Sequence, residues 1–415
     1  MLDSASRGWL GDSVLQPSAD AYVTYLQRHG YAAASVSAYL RSVDHLAHWL
    51  RERRIPLCRL DERLVQRFVG EHLPGCACPG RVQRTPHQVR AALRHLLRIL
   101  RVDGHIAAIH ERLPIPIQHE LARFDAHLAS ACGLASATRR SRLRGVRAFL
   151  GDRFRAAPIR LDAISAAAVI AFIVRPSEDP KPGRVRERRA ALRSYFRFRA
   201  VTCGDRVDRL VAAIPRVAQW RLATLPAHLT PDELRRFLDA FDRQRPGGRR
   251  GYAMARCMVD LGLRAGEVAA LTLEDLDWAN GTLTIRRSKS RRADVLPLPV
   301  ATGHAIVEYV RRGRPHATSR SLFVRHHAPV DAPFTPACVR SAIRLAYARC
   351  GLAQRYTGTH VLRHTAATRM RYAGASLKDI ADVLRHRSLD TTMIYTKVDY
   401  PRLAAVAAPW PGGAS

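Results

Sequence analysis

The stretch Gly358–Met370 reads GTHVLRHTAATRM, and it raises a choice between two kinds of site. His360 and His364 are four residues apart, a spacing that puts two imidazoles on one face of a helix. Many zinc hydrolases present two metal ligands in this way. Arg363 stands between the histidines, and a fixed positive charge is a poor neighbour for a divalent cation. The stretch is therefore either a metal site or a site that holds an anion.

The composition favours a polyanionic partner. The 415 residues exceed one ordinary core, so two or three domains are expected. Lys and Arg number 68 against 35 Asp and Glu, which gives a net charge of +33. Such self-repulsion favours nucleic acid as the partner, followed by an anionic membrane surface. A general bias of the sequence towards Arg is the alternative explanation.

Targeting signals and cysteine usage favour a cytosolic protein. The first residues lack a basic segment followed by an apolar run, so no signal peptide is predicted. No stretch approaches 18 uninterrupted apolar residues, which argues against a membrane span. The eight cysteines are scattered, as expected for reduced thiols. Cys76 and Cys78, with His72 and His87 nearby, are weak evidence for a structural zinc site, and whether they bind a metal is left open.

Two segments of the N-terminal half resemble each other. An apolar i, i+3, i+6 stripe, typical of an amphipathic helix, occurs at Leu40, Val43 and Leu46 and again at Leu143, Val146 and Phe149. Both segments are predicted to be helical, with Ser35 and Thr138 as N-caps after a glycine turn. We interpret the pattern as a duplicated helical domain. The alternative is two unrelated segments that share a bias towards Arg, Ala and Leu.

A new domain is predicted to begin near Thr230. This residue is a candidate N-cap, with Pro231 at the first helical position and Glu233 three residues after the cap. Helices follow as far as Pro401, with one interruption, GTLTIRRSKSRRADVLPLP. The alternation in TLTI, the basic turn and the following VLPL predict a β-hairpin.

Four short motifs place cationic side chains near the ends of these elements. The first pairs Arg264 with Glu267, three residues later. The second is the basic hairpin turn, in which Lys289 is selected over its neighbours by its distance from VLPL. The third is the opening stretch, and in the fourth His386 precedes Tyr395 by nine residues. Each motif is common by chance, but their order and spacing together are specific.

This set of motifs resembles the tyrosine recombinase (phage integrase) family over roughly residues 228–400. The resemblance implies a mainly α fold with a small β-hairpin or sheet in the catalytic domain, and a C-shaped clamp around DNA. The expected division is two helical core-binding-like copies, a catalytic domain and a tail, at residues 1–110, 111–222, 223–403 and 404–415. A second core-binding-like copy departs from the family's usual single copy.

Phosphodiester chemistry explains the cationic residue types. Attack on phosphorus adds negative charge to the non-bridging oxygens, and guanidiniums can hold such oxygens in forked hydrogen bonds. Arg264 and Arg363 suit this role. By resemblance, His386 donates a hydrogen bond to a non-bridging oxygen, and Glu267 orients the arginines without touching DNA. His364 is then a structural residue.

The resemblance also names the groups that transfer protons and form the covalent bond. Tyr395 is the nucleophile, and a cationic pocket favours its phenolate. Lys289 is the general acid for the leaving 5′-oxygen. His360 takes the phenolic proton or shares the phosphate contact. Such a site requires no metal and no other cofactor, and the chain has no phosphate-binding loop of the kind that binds ATP.

The expected function is site-specific recombination or integration of DNA, for a mobile element, through a 3′-phosphotyrosyl intermediate. The expected partners are double-stranded DNA with specific recombination sites and further copies in a homotetramer, or related recombinases in a mixed assembly. A cytoplasmic, nucleoid-associated location follows. The alternatives are a type IB-like topoisomerase and a non-catalytic DNA-binding regulator. A zinc hydrolase is disfavoured, because no third ligand and no Glu accompany the histidines.

Overall fold

The computed structural model describes residues 10–11, 13–79, 82–107, 113–155, 157–175, 182–215, 226–286, 293–330, 332–386 and 392–393. It is mainly helical with one small sheet, which confirms the predicted fold class. Its contacts separate into two compact units, one formed by Met1–Ile106 with Arg221–Ser415 and the other by Ala107–Trp220. Among the described helices, none combines the length and apolarity that a bilayer crossing requires.

The N-terminal part of the first unit is a helical bundle with its own hydrophobic core. Its α-helices are α1 (Gln16–Arg28), α2 (Ala33–Glu52), α3 (Glu62–Arg67) and α4 (Pro86–Val102). The chain continues from α3 through a π-helical turn, Phe68–His72, and a 3₁₀ turn, Leu73–Gly75. Helix α2 packs against α4, and the predicted apolar stripe Leu40, Val43 and Leu46 is buried between them.

The second unit is a separate helical bundle. Its helices are α5 (Ile115–Ser130), α6 (Ser136–Phe154), α7 (Ala166–Val174), α8 (Pro182–Cys203) and α9 (Asp208–Ala212). Helix α6 packs against α5 and α8. Within the predicted stripe of α6, Val146 and Phe149 are fully buried and Leu143 is half-buried at the edge of the core.

The predicted N-caps of α2 and α6 were wrong by three residues. Ala32 and Ala135 occupy the N-cap positions, and neither has a side chain that can cap. The amide of Ser35 donates to the carbonyl of Ala32, and the amide of Thr138 donates to that of Ala135. Alanine has the highest helix propensity, so the alanine-rich residues before Ser35 and Thr138 extend both helices towards the N-terminus.

The C-terminal part of the first unit combines seven described helices with the sheet. The helices are α10 (Pro231–Asp239), α11 (Pro246–Asp260), α12 (Ala265–Ala270), α13 (Val300–Arg312), α14 (Pro336–Arg349), α15 (His360–Tyr372) and α16 (Leu377–Leu384). The antiparallel sheet has the order β1 (Leu276–Asp277), β2 (Thr282–Ile285) and β3 (Asp294–Pro297). Strands β2 and β3 confirm the predicted hairpin, and β1 adds an edge strand that was not predicted.

The start of α10 is capped as predicted and is also tied to α15. Thr230 and Glu233 form a reciprocal capping box, in which each side chain accepts a hydrogen bond from the other residue's backbone amide. Next to it, the amide of Leu229 donates to the hydroxyl of Thr365 at 2.9 Å, in a buried contact. The chain therefore begins this segment with a direct bond to the middle of α15.

Candidate active site

Arg363 connects three backbone segments that are distant in sequence. Its Nη1 donates to the carbonyl of Gly262, before α12, at 2.5 Å. Its Nη2 donates to the carbonyl of Leu384, at the end of α16. Arg363 itself lies in the first turn of α15 and is only 4% exposed. One guanidinium thus fixes the start of α15 against two chain segments, the one that contains Arg264 and the one that contains His386.

Gly262 permits the close approach of these segments. Its φ is +62°, in the left-handed region that glycine adopts without steric cost. A Cβ at this position would lie 2.3 Å from Cδ2 of Leu384, so a side chain fits only if the Leu384 side chain shifts. The absence of a side chain therefore places the Gly262 carbonyl within reach of Arg363.

Glu267 joins two arginines, of which Arg385 is buried and Arg264 is half-buried. Arg264 is the N-cap residue of α12, and its Nη1 donates to Oε1 of Glu267 at 2.7 Å while its backbone amide donates to Oε2 at 2.8 Å. Nη2 of Arg385 donates to Oε2 of the same carboxylate, also at 2.7 Å. Glu267 is 4% exposed, so the carboxylate serves as an internal anchor for both guanidiniums.

The electrostatics keep this cluster ionised. Burial alone would raise the pKa of the Glu267 carboxyl, but the charges of Arg385 and Arg264 and the hydrogen bonds from Arg264 hold it below its usual value. Burial lowers the pKa of Arg385, and the charge of Glu267 opposes this effect. Arg385 adopts a left-handed conformation with φ +54°. Sequence reasoning missed Arg385; its only signal was its position directly before His386.

The histidines differ in their environments. His386 shares a 2.7 Å hydrogen bond between its Nδ1 and the hydroxyl of Thr392. Burial, and then the charges of Arg363 and Arg264, lower the pKa of His386 to about 4, so the imidazole is neutral at neutral pH. His360 is exposed at the first residue of α15, and its ring centroid lies 6.5 Å from that of half-buried His364.

The charges of this region favour an anion over a metal cation. Arg264, Arg363 and Arg385 supply three guanidiniums against the carboxylate of Glu267 and the nearby carboxylate of Asp294, so positive charge is in excess. Among the described residues, the side chains close enough to share a metal ion are His45, His72, Cys76 and Cys78, and neither His360 nor His364 belongs to this group. The predicted residues Arg264, Glu267, Arg363 and His386 are brought together at this point, with His360 at the adjoining start of α15.

Lys289 and Tyr395 lie outside the described residues. Lys289 belongs to the sequence between β2 and β3, whose pairing brings Ile285 opposite Asp294. Tyr395 follows the described pair Thr392 and Met393. Their roles therefore stay predictions.

Acidification is expected to destabilise the protein through two half-buried histidines of this region. Burial, and then the charges of His360 and Arg363, lower the pKa of His364 to about 4, and the pKa of His386 is similar. An unfolded histidine titrates near pH 6.5. Between these values the unfolded chain binds protons that the folded chain does not, so the free energy of unfolding falls as the pH falls.

Urea unfolding at about pH 7 and about pH 5 measures this effect, because the two values bracket the unfolded pKa of histidine. The loss of stability at the lower pH should be smaller in His364→Gln than in the wild type. His304 is exposed on α13, and His304→Gln serves as the matched control. Equal losses in His364→Gln and in the wild type would contradict the expectation.

Comparison with known proteins identifies the family. Residues 227–402 match the phage integrase family, and residues 19–104 match the phage integrase N-terminal SAM-like domain. The protein y4rA of Sinorhizobium fredii (strain NBRC 101917 / NGR234), named provisionally as an integrase/recombinase, is 36% identical over 95% of this chain and 94% of its own length. Tyrosine recombinase XerC of Halalkalibacterium halodurans is 32% identical over 45% of this chain and 61% of its own.

Solved structures share the fold. The XerH site-specific recombinase, in a post-cleavage complex with a palindromic difH substrate, superposes with a TM-score of 0.55 and 20% identity over 72% of this chain and 98% of that one. Lambda integrase residues 75–356, in a dimer bound to a COC' core site, give a TM-score of 0.51 and 19% identity over 67% and 94%. With the near-full-length match to y4rA, these findings establish that the chain belongs to the phage integrase family of tyrosine recombinases.

Proposed function

We propose that this protein is a site-specific DNA recombinase that breaks and rejoins strands through a 3′-phosphotyrosyl intermediate, without a metal ion or ATP. The observation that carries the proposal is the cluster of Arg264, Glu267 and Arg385 beside Arg363, in which guanidiniums outnumber carboxylates. A phosphodiester brings one negative charge and the attacking phenolate a second. The excess of positive charge therefore suits the transition state, which is the species an enzyme must stabilise.

Four residues of this site have proposed roles in binding or orienting groups around the phosphate. Arg264 and Arg363 bind the two non-bridging oxygens, and Glu267 fixes the orientation of Arg264 through two hydrogen bonds. His386 is neutral, and its contact with Thr392 fixes its ring plane. If Thr392 donates to Nδ1, the proton of the neutral imidazole resides on Nε2, which can then donate to the phosphate.

The covalent step exchanges one ester for another. The Oη atom of Tyr395 attacks phosphorus, the bond between phosphorus and the 5′-oxygen breaks, and the DNA remains attached through its 3′-phosphate. The phenolic proton passes to His360, and Lys289 protonates the leaving 5′-oxygen. Rejoining reverses these steps when a 5′-hydroxyl attacks the phosphotyrosine. The number of phosphoester bonds is conserved, so no ATP is consumed.

The substrate we propose is double-stranded DNA with specific recombination sites, on a mobile element. The net charge of +33 supports a partner with many phosphates. The names of y4rA and XerH, and the DNA bound in the XerH and lambda integrase structures, support the same substrate class. Further copies would complete a tetramer that joins two duplexes, and acting on such DNA implies a cytoplasmic, nucleoid-associated protein.

The division into two helical core-binding-like domains and a catalytic domain is part of the proposal. Three separate large hydrophobic clusters support it, one within Leu10–Ile106, one within Ile117–Ile214 and one within Leu229–Leu362. Of these, the first overlaps the SAM-like match at residues 19–104 and the last overlaps the integrase match at residues 227–402.

The nucleophile can be tested directly by replacing Tyr395 with phenylalanine. Nicked, end-labelled DNA carrying the element's own recombination site, incubated with wild-type protein in EDTA, should give a protein–DNA adduct that survives denaturation. Tyr395→Phe should give none, because a phenyl ring has no oxygen to form the ester. Tyr372 is 60% exposed at the end of α15, and Tyr372→Phe is the matched control, expected to retain the adduct.

The outcomes also separate the alternatives. An adduct that persists in Tyr395→Phe, or none with the wild type on its own site, would refute the assignment. Rapid relaxation of supercoiled plasmid that lacks the site would favour a topoisomerase. Tight binding without any adduct would favour a DNA-binding regulator.

A further inference from the structure

Two histidines and two cysteines meet in the N-terminal bundle, far along the sequence from the candidate active site. His45 comes from the middle of α2, and His72, Cys76 and Cys78 follow α3. Nε2 of His45 lies 3.1 Å from Nε2 of His72 and 3.2 Å from Sγ of Cys76. Sγ of Cys78 lies 3.5 Å from Nε2 of His72. All four ligand atoms lie within 4.8 Å of one another.

These distances are those of a tetrahedral zinc site. With Zn–N near 2.05 Å and Zn–S near 2.3 Å, tetrahedral geometry separates two nitrogens by about 3.3 Å and a nitrogen from a sulfur by about 3.6 Å. The nitrogen pair at 3.1 Å and the nitrogen–sulfur pairs at 3.2 and 3.5 Å are close to these values. Pairwise hydrogen bonds between thiols and imidazoles would not require all four atoms to lie within 4.8 Å of one another.

The surroundings hold the ligands in place. His45 is fully buried, and the ring of Phe68 packs edge-on against it with a centroid distance of 5.0 Å. The amide of Cys78 donates to Sγ of Cys76 at 3.4 Å, a contact that stabilises a thiolate. His72 ends the π-helical turn Phe68–His72. Such turns are rare overall, and those that occur are often found at functional sites.

The matching helix of the second unit lacks this feature. The apolar stripe aligns Leu40 with Leu143, and the same offset aligns His45 with Ala148. A buried histidine at this position is therefore not required for such a helix to pack. From the sequence, Cys76 and Cys78 were grouped with His72 and His87. In the structure, the cluster consists of Cys76, Cys78, His72 and His45.

We propose that Nε2 of His45, Nε2 of His72, Sγ of Cys76 and Sγ of Cys78 bind one Zn²⁺ ion. Two imidazoles and two thiolates are the ligand set of many structural zinc sites, and they leave the bound site without net charge. Four protein ligands leave no open position for substrate, so the ion is structural. It ties α2 to the segment between α3 and α4, and it plays no part in DNA cleavage.

Zinc content of the full-length protein tests the proposal. After loading with zinc and dialysis against metal-free buffer, the wild type should retain one zinc per chain by mass spectrometry. His45→Gln and Cys76→Ser should lose most of it. Cys58 is exposed in the same bundle, and Cys58→Ser, together with His87→Gln, should retain zinc as matched controls. A chelator should lower the unfolding temperature of the wild type and leave that of Cys76→Ser unchanged.

A cobalt spectrum keeps the test decisive if a ligand variant folds poorly. Wild-type protein loaded with Co²⁺ should absorb in the visible as a tetrahedral complex, with thiolate-to-cobalt charge transfer in the near ultraviolet. Zinc binding no greater in the wild type than in Cys76→Ser, or a cobalt spectrum without charge transfer, would overturn the proposal. Either result would leave a hydrogen-bonded cluster of thiols and imidazoles.

Discussion

Arg363→Ala should slow DNA strand cleavage by at least about 10²–10³-fold, the usual effect of removing one donor that holds a developing oxyanion. The variant should also be less stable. Without the guanidinium, the carbonyls of Gly262 and Leu384 lose buried hydrogen-bond donors, at a cost of about 1–3 kcal/mol each. Single-turnover cleavage at saturating DNA, with unfolding in urea, measures the two effects separately.

Two further variants interpret the result. Arg363→Lys keeps the charge but loses the planar fork, so it should recover stability only in part and stay slow in cleavage. Arg369 lies on the same helix, half-exposed, with an ion pair of 3.1 Å to Asp260. Because Asp260 also binds Arg256 and Thr302, Arg369→Ala should change stability little. Cleavage by Arg363→Ala within a few-fold of the wild-type rate would exclude a direct role in catalysis.

Gly262→Ala is expected to lower the free energy of unfolding by about 2–5 kcal/mol, the sum of two penalties. The left-handed backbone costs a residue with a Cβ about 1–2 kcal/mol. Overpacking against Leu384, 2.3 Å from the new Cβ, adds about 1–3 kcal/mol. DNA cleavage should fall as well, because Arg264 follows this turn and the Gly262 carbonyl is bound by Arg363. Urea denaturation and the cleavage assay provide the measurements.

Other glycines of the same part separate the two penalties. Gly374 has φ +91° and no neighbour within 4 Å of a new Cβ, so Gly374→Ala measures the backbone cost alone. Gly266 has neither a left-handed φ nor a close neighbour, and Gly266→Ala in helix α12 should not destabilise the fold. In a double-mutant cycle, Gly262→Ala should cost less in the Leu384→Ala background than in the wild type. Equal losses in the free energy of unfolding for Gly262→Ala and Gly374→Ala would show that the contact with Leu384 does not contribute to the destabilisation.

The features that could be predicted from the sequence are those that depend on residues close together along the chain. The capping box of Thr230 and Glu233 spans three residues, and the hairpin follows from alternation within two short segments. The fold class followed from these local signals together with the family resemblance. By contrast, the predicted helix starts at Ser35 and Thr138 were wrong, because the alanine-rich residues before them extend both helices towards the N-terminus.

The features that sequence could not predict depend on chain segments meeting from far apart. Arg385 reaches Glu267 across 118 positions, and nothing in their spacing identifies the pair. His45 joins Cys76 from 31 residues upstream, whereas the sequence pointed only to the nearer histidines, His72 and His87. Proximity along the chain was a poor guide in both cases, because helices carry neighbouring residues to different faces.

The bond between the amide of Leu229 and the hydroxyl of Thr365 has a mechanical consequence. Helix α15 holds His360 and Arg363 at its start and Thr365 one turn from its N-terminus. A force on the chain that reaches Leu229 is therefore applied directly to α15, the helix whose first turn carries His360 and Arg363.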